Sequence, residues 1–338
     1  MVNAIYGSGF WYLRGEMKRS AAADNAAQPR WRVLVTGAAG FVGAVLTRRL
    51  VADGHRVHVL LKPGTSSWRL ADVERDLTLY EGDLTDEAAT WEIVQAAHPD
   101  VIYHLAAHGG YSSQNDADAI LRTNFLGTWN LLKACAGIDY HVFVNTGSSS
   151  EYGFKDHASR ETDVLEPNSY YAVSKSAQTL LCQYVARAES RPITTFRLFS
   201  VYGPFEEPSR LVPTLIRRCL EGKDLTLTDP YTARDFVYVD DVVDAYLRLD
   251  ELARLSGEIL NIGTGLQTPL EQIVALLLQQ TGARVACHWG SMPNRIWDTR
   301  TWVGDCDKSQ RLLGWKAHTS LADGLARTIG WTRRRGSA

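Results

Sequence analysis

The sequence has few of the features that would classify it at once. Its 338 residues hold five cysteines: Cys135, Cys182, Cys219, Cys287 and Cys306. Their number is odd and no C-x-x-C pair occurs, which argues against a disulfide scaffold and offers no zinc or redox motif. Thiols scattered in this way fit a reducing compartment. No apolar run reaches the roughly 20 residues that span a bilayer, and residues 1–30 lack the basic start, apolar centre and small-residue cleavage site of a secretory signal. The expected location is the cytoplasm. There is no basic excess either: 36 Lys and Arg face 38 Asp and Glu, for a net charge of −2. A nucleic-acid partner is therefore not expected, and any anion site must be local.

What is present is ordinary globular composition, 45% hydrophobic and 22% charged, with length for one large or two smaller domains. Residues 1–30 read as an irregular tail, since the run SAAADNAAQPR has too few periodic apolar positions for a core. From Trp31 onward, short aliphatic and β-branched runs alternate with helical stretches. Strands are expected at residues 31–36, 56–61, 77–80, 101–106, 141–146, 193–198 and 258–263. Such runs, flanked by helices, are what a parallel sheet buried on both faces requires. The expected fold is α/β, a doubly wound parallel sheet of about seven strands. Residues 31–203, continued by 232–263, form its dinucleotide-type domain, and 204–231 with 264–338 form a smaller lobe at the carboxyl edge.

The first strand runs into Gly37-Ala38-Ala39-Gly40-Phe41-Val42-Gly43 and then a helix. Glycines there permit a tight turn and close approach of backbone N–H groups to a pyrophosphate, and the helix N-terminus favours the anion. An acid at the end of strand two suits the ribose hydroxyls of NAD, whereas cations suit the 2′-phosphate of NADP. Here the run ends in Leu61-Lys62-Pro63, with Arg69 close behind, so the reading leans towards NADP, with NAD as the alternative. His104 and His108 are four residues apart but straddle a strand end, and no metal site is assigned.

Tyr171-Ala172-Val173-Ser174-Lys175 carries the chemistry. A Tyr and a Lys four residues apart share a helical face, so an ammonium can stand beside a phenol and favour its ionised form. That makes Tyr171 a candidate proton-transfer group beside a nicotinamide. About twenty residues earlier lies Thr146-Gly147-Ser148-Ser149-Ser150-Glu151-Tyr152-Gly153, a serine cluster after strand five.

In this order and spacing the motifs resemble the extended short-chain dehydrogenase/reductase family, in its sugar-nucleotide epimerase/dehydratase branch, from about Trp31 to Trp315. TNFLGT (123–128), RLFSVYGP (197–204), RDFVYVDD (234–241), NIGTG (261–265) and LLGW (312–315) add to the likeness. The resemblance implies Ser148, Tyr171 and Lys175 as the catalytic set, with Ser149 replacing Ser148 if one residue is deleted before Tyr152. On the cofactor side it implies Asp83 and Leu84 at the adenine, the backbone of Leu105, Ala106 and Ala107 along the dinucleotide, Asn124, and Tyr171 with Lys175, the lysine bonding the nicotinamide ribose. On the substrate side it implies His108, Ser149, Ser150, Ser200, Arg210, Arg234 and Arg295, the arginines suiting a diphosphate as planar forks. Ser200 departs from the Asn that many relatives carry there.

The implied reaction is epimerisation at carbon 4 of a nucleotide-diphosphate sugar by hydride removal and return. A ketoreductase using NADPH, a 4,6-dehydratase, and a non-catalytic NADP-binding regulator are the alternatives. Dehydratases with this pattern carry acids directly after the catalytic Thr, where this chain has Ser149 and Ser150. A one-residue deletion would bring Glu151 into that position. The resemblance also implies a homodimer built from the helix after Tyr171 and the one over residues 117–136.

Overall fold

The computed structural model describes residues 31–111, 113–292 and 300–336. The expected tail at 1–30 and the Arg295 assignment lie outside the described residues. Among the described residues there are thirteen strands: β1 Arg32–Thr36, β2 Arg56–Leu61, β3 Leu77–Glu81, β4 Val101–His104, β5 Val142–Ser148, β6 Ile193–Leu198, β7 Ser200–Tyr202, β8 Leu225–Thr226, β9 Ala233–Arg234, β10 Phe236–Tyr238, β11 Ile259–Ile262, β12 Thr268–Pro269 and β13 Cys287–His288. The helices are α1 Phe41–Ala52, α2 Glu87–Ala97, α3 Ala117–Leu121, α4 Gly127–Cys135, α5 Tyr170–Ala188, α6 Leu211–Leu220, α7 Val239–Tyr246, α8 Leu249–Ala253, α9 Leu270–Thr281, α10 Asp307–Leu313 and α11 Leu321–Gly336. None is long and apolar enough to cross a membrane among the described residues.

Seven strands form one parallel sheet in the order β11-β6-β5-β4-β1-β2-β3, each arising from one of the seven runs expected from sequence. Because successive side chains point to opposite faces, the sheet feeds two cores. Val33, Val35, Val59, Val101 and Val144 pack on one face with α1 and α7. Leu34, Leu60, Ile102 and Phe143 pack on the other with α2, α4 and α5. The sheet is thus doubly wound.

Two strand ends differ from expectation for local reasons. β4 stops at His104 rather than residue 106, because after the last ladder bond the Ala106 N–H turns to the Thr36 hydroxyl at 3.3 Å. β5 runs on to Ser148, since Gly147 and Ser148 still pair with Arg197 and Leu198 of β6. The catalytic serine candidate therefore sits on the last rung of a rigid strand. A third apolar cluster joins Tyr202, Val212, Ile216, Leu225 and Tyr238 to Ile273, Leu277, Leu325 and Ile329. All of it comes from chain that follows β6. The five cysteines are free thiols.

Candidate active site

The turn after β1 has the shape of a cradle. Gly37 has φ +74°, and a Cβ there would lie 2.5 Å from the Ala106 nitrogen, while a Cβ on Gly43 would lie 2.2 Å from the Gly37 carbonyl oxygen. Both positions therefore exclude any larger residue. Gly40 caps α1 with no side-chain hydrogen bond, and no acid stands in the first turn. The N–H groups that open α1 at Phe41, Val42 and Gly43 thus face no competing anion, and a dinucleotide pyrophosphate fits here. Leu105, Ala106 and the exposed Ala107 follow β4 beside this turn.

Both cations behind β2 have partners of their own. Lys62 forms an ion pair with Asp83 at 2.9 Å, so the expected adenine residue and the expected phosphate residue hold each other. Arg69 is buried, with its guanidinium on the Phe205 carbonyl at 2.8 Å, the Ala39 carbonyl at 3.3 Å and the Glu207 carboxylate at 3.0 Å. It ties the glycine turn to the segment after β7. Leu84 is buried, and its carbonyl accepts from Asn130 at 2.9 Å.

Ser169 begins α5 as an N-cap, its hydroxyl accepting from the Ala172 N–H at 3.1 Å. This fixes Tyr171 in the first turn and Lys175 in the next. Burial pushes the Tyr171 phenol up from its ordinary value, and hydrogen bonding from the Ser148 hydroxyl and the charge of Arg210 oppose it. Lys175 lies one turn further along the same helix. The buried ammonium donates to the Thr146 carbonyl and to Gln178 Oε1, both at 2.5 Å, and burial brings its pKa down to about 8 against the pull of Glu151. The two residues share a helical face, but the carbonyl at the end of β5 and the amide on the next half-turn capture the lysine. Gln178 is itself held by Asn145 at 2.6 Å.

Glu151 belongs to the framework. Its carboxylate is fully buried and accepts from the Ser148 N–H at 2.8 Å, from the Thr179 hydroxyl at 3.0 Å and from Arg197 Nε at 2.8 Å. With Ser148 it closes a capping box over residues 149–152. No oxygen is left to act as a base on a ligand. Of the other serines, Ser150 donates its N–H to Ser148 Oγ at 3.2 Å, and Ser149 Oγ accepts from the Trp302 indole at 3.1 Å.

Asn124 is likewise a support. It lies in a π-helical turn over Arg122–Leu126, a form often found near functional sites. Its amide accepts from the His108 N–H at 2.7 Å and donates to the His108 carbonyl and to Ser174, each at 2.8 Å. It thus pins the strand-four loop, whose Gly109 lies against the Tyr171 ring. His104 bonds two threonine hydroxyls, Thr36 at 2.7 Å and Thr128 at 2.8 Å, and is buried.

The chain after β6 supplies further polar groups. Arg210 leads into α6 and donates to the Gly110 carbonyl at 3.2 Å. The Arg234 guanidinium lies 5.2 Å from the Trp302 ring centroid, so Arg234 and Ser149 meet through one indole. Ser200 occupies β7, its N–H on the Asp235 carbonyl at 2.9 Å. Spacing gave no sign of Trp302, because it reaches Ser149 from a position 153 residues away.

Comparison with known proteins agrees with this geometry. A dTDP-glucose 4,6-dehydratase of Streptomyces griseus is 31% identical over 88% of this chain and 93% of its own. The crystal structure of UDP-glucose 4-epimerase from Thermotoga maritima with UDP-glucose superposes with a TM-score of 0.82 at 28% identity, covering 90% of this chain and 99% of that one. UDP-glucuronic acid 4-epimerase from Bacillus cereus, in complex with UDP-glucuronic acid and NAD, gives a TM-score of 0.79 at 27% identity, with 90% and 99% covered. The model of the NAD dependent epimerase/dehydratase family matches residues 33–263, and the chain belongs to that family.

Proposed function

We propose that the protein is a nucleotide-sugar 4-epimerase acting on a neutral UDP-hexose, with Tyr171 as the proton-transfer residue, Ser148 as the hydroxyl that aligns the C4 oxygen, and Lys175 as the cation beneath them. The observation that carries this reading is the placement of Ser148 at the end of β5 and Tyr171 in the first turn of α5, with a serine loop whose acid, Glu151, is bonded to Arg197. A bound nicotinamide supplies the two-electron acceptor and donor and, when oxidised, a positive charge that favours the Tyr171 phenolate. Tyr171 takes the proton from the C4 hydroxyl and later returns it, while Ser148 donates a hydrogen bond to that oxygen. The ketoreductase reading uses the same residues but consumes the reduced cofactor. The dehydratase reading needs an acid and a base beside the sugar, and Ser149, Ser150 and Glu151 offer neither. A regulator has no use for the Ser148–Tyr171 pair.

On the finer choices, the reading is NAD, because Lys62 is neutralised by Asp83 and Arg69 is committed to the lobe. Residues 204–231 and 264–338 are the substrate lobe, with Arg210 and Arg234 toward the diphosphate. The homodimer reading is supported by a run of exposed apolar side chains on adjoining helices: Leu121, Leu126 and Trp129 near α3 and α4, and Val173, Leu180 and Tyr184 on α5. A large apolar patch of this kind marks an interface, and the cytoplasm is the expected compartment. Sedimentation at micromolar concentration should show a dimer. The deciding experiment is incubation with UDP-glucose and NAD, followed by NMR. Interconversion of the C4 epimers without net cofactor consumption is expected. A 4-keto-6-deoxy product with solvent deuterium at carbon 5 would establish dehydration instead, and conversion only at the expense of NADPH would establish a reductase.

A further inference from the structure

The segment between β7 and α6 reads Gly203-Pro204-Phe205-Glu206-Glu207-Pro208. Phe205 stands at φ +71°, a left-handed conformation that a bulky side chain takes only where surroundings enforce it. Here Arg69 holds its carbonyl, and its ring packs 5.0 Å from that of Trp331 and 4.0 Å below the Arg48 guanidinium. The strained residue immediately precedes Glu206, which is only 7% exposed. Glu206 Oε1 lies 3.9 Å from Arg210 Nε, and Oε2 has no hydrogen-bond partner among the described residues. A buried carboxyl oxygen left unbonded is costly unless a ligand completes it.

Its surroundings indicate which ligand. Arg210 also holds the Gly110 carbonyl, in the loop whose Gly109 abuts the Tyr171 ring. Glu206, Glu207, Arg69 and Arg210 all act electrostatically on Tyr111 of that loop, and Tyr111 and Arg210 act on the Tyr171 phenol. Glu206 is therefore linked through Arg210 to the loop that packs on Tyr171. We propose that Glu206 is a specificity-determining residue that hydrogen-bonds a hydroxyl of a neutral hexose through Oε2 and excludes a uronate carboxylate. This rests on the nucleotide-sugar reading above.

A hydroxyl both donates and accepts, so it satisfies Glu206 whether the carboxyl is ionised or not. A uronate matches the protonated acid alone and meets like charge otherwise. Burial pushes the carboxyl up to about 8, against Arg210 and the backbone of Gly203. Discrimination against the uronate should accordingly grow as pH rises through that value.

The test measures dissociation constants of the NAD-loaded protein for UDP-glucose and UDP-glucuronate by calorimetry at about pH 6.5 and 9, in wild type and Glu206→Gln, together with C4 epimerisation by NMR. Wild type should favour UDP-glucose by at least about tenfold at the higher pH, as one bond to a charged group can supply. The ratio should shrink at the lower pH, and in Glu206→Gln it should be smaller and independent of pH. Equal or tighter binding of UDP-glucuronate by wild type, or a ratio unchanged by the substitution, would overturn the proposal even if UDP-glucose is epimerised. The expected ratios without any C4 epimerisation would leave it standing and remove the epimerase reading instead.

Discussion

Two buried glutamates near the candidate site are built in opposite ways. Glu151, in the serine loop that we call the floor, spends its carboxylate on a backbone N–H, a threonine hydroxyl and a buried arginine. Glu206, in the segment after β7 that we call the roof, has one oxygen without a partner among the described residues and sits beside a strained residue. A satisfied buried carboxyl fixes geometry, whereas an unsatisfied one has a bond left to offer. The contrast assigns Glu151 to the framework and Glu206 to recognition, although the sequence offers Glu151 as the more obvious acid.

The largest expected effect comes from the residue between them. Tyr171→Phe should lower turnover by about 10²- to 10⁴-fold, the usual worth of a positioned proton-transfer group. NAD affinity should stay near wild type in equilibrium titration, because the ring still packs. Lys175→Ala should weaken both turnover and NAD binding.

Next is the floor itself. Glu151→Ala leaves Arg197 as an unpaired buried cation and should cost about 3–5 kcal/mol of stability, read from the denaturant midpoint. Glu206→Gln near neutral pH should cost less than about 1 kcal/mol, since the amide replaces an acid that makes little use of its second oxygen. Equal losses from the two substitutions would erase the distinction between floor and roof.

A pH series sharpens the same contrast. The Glu206 carboxyl is raised from 4.5 to about 8, so the folded protein keeps a proton that the unfolded chain releases. Stability from this group is complete below the unfolded value and is lost as pH rises through about 8, an effect on the order of a few kcal/mol. Denaturant midpoints at about pH 5, 7 and 9 should fall more steeply for wild type than for Glu206→Gln. Identical slopes would show that the carboxyl is ionised throughout.

The smallest effect is expected at the surface. The Lys62–Asp83 pair is exposed, so Lys62→Ala should change stability by less than about 1 kcal/mol and NAD affinity by less than about threefold. A large loss of NADP affinity over NAD in that variant would restore Lys62 as a phosphate ligand.

Much of this molecule follows from local pattern. The seven strands arise from β-branched runs because a strand buried on both faces needs an unbroken apolar segment. The glycine turn was legible because the close approach of Gly43 to Gly37 lies within one βα junction. Tyr171 and Lys175 share a face by helical geometry alone. The strand-four end was misjudged by two residues because Thr36, from another strand, takes the Ala106 N–H.

What the sequence determined by itself was therefore which runs become strands, where the glycine turn falls, and the Ser148–Tyr171–Lys175 order, all readable from residues near in the chain. Only the tertiary structure decided the partners of the charges. Arg69 is a clamp because Phe205 and Glu207, more than 130 residues away, reach it. Glu151 is framework because Arg197 lies on the neighbouring strand. Trp302 meets Ser149 across 153 positions. Whether a charged side chain binds a ligand or holds the fold depends on what surrounds it in a low-dielectric interior. Residue spacing along the chain does not carry that information.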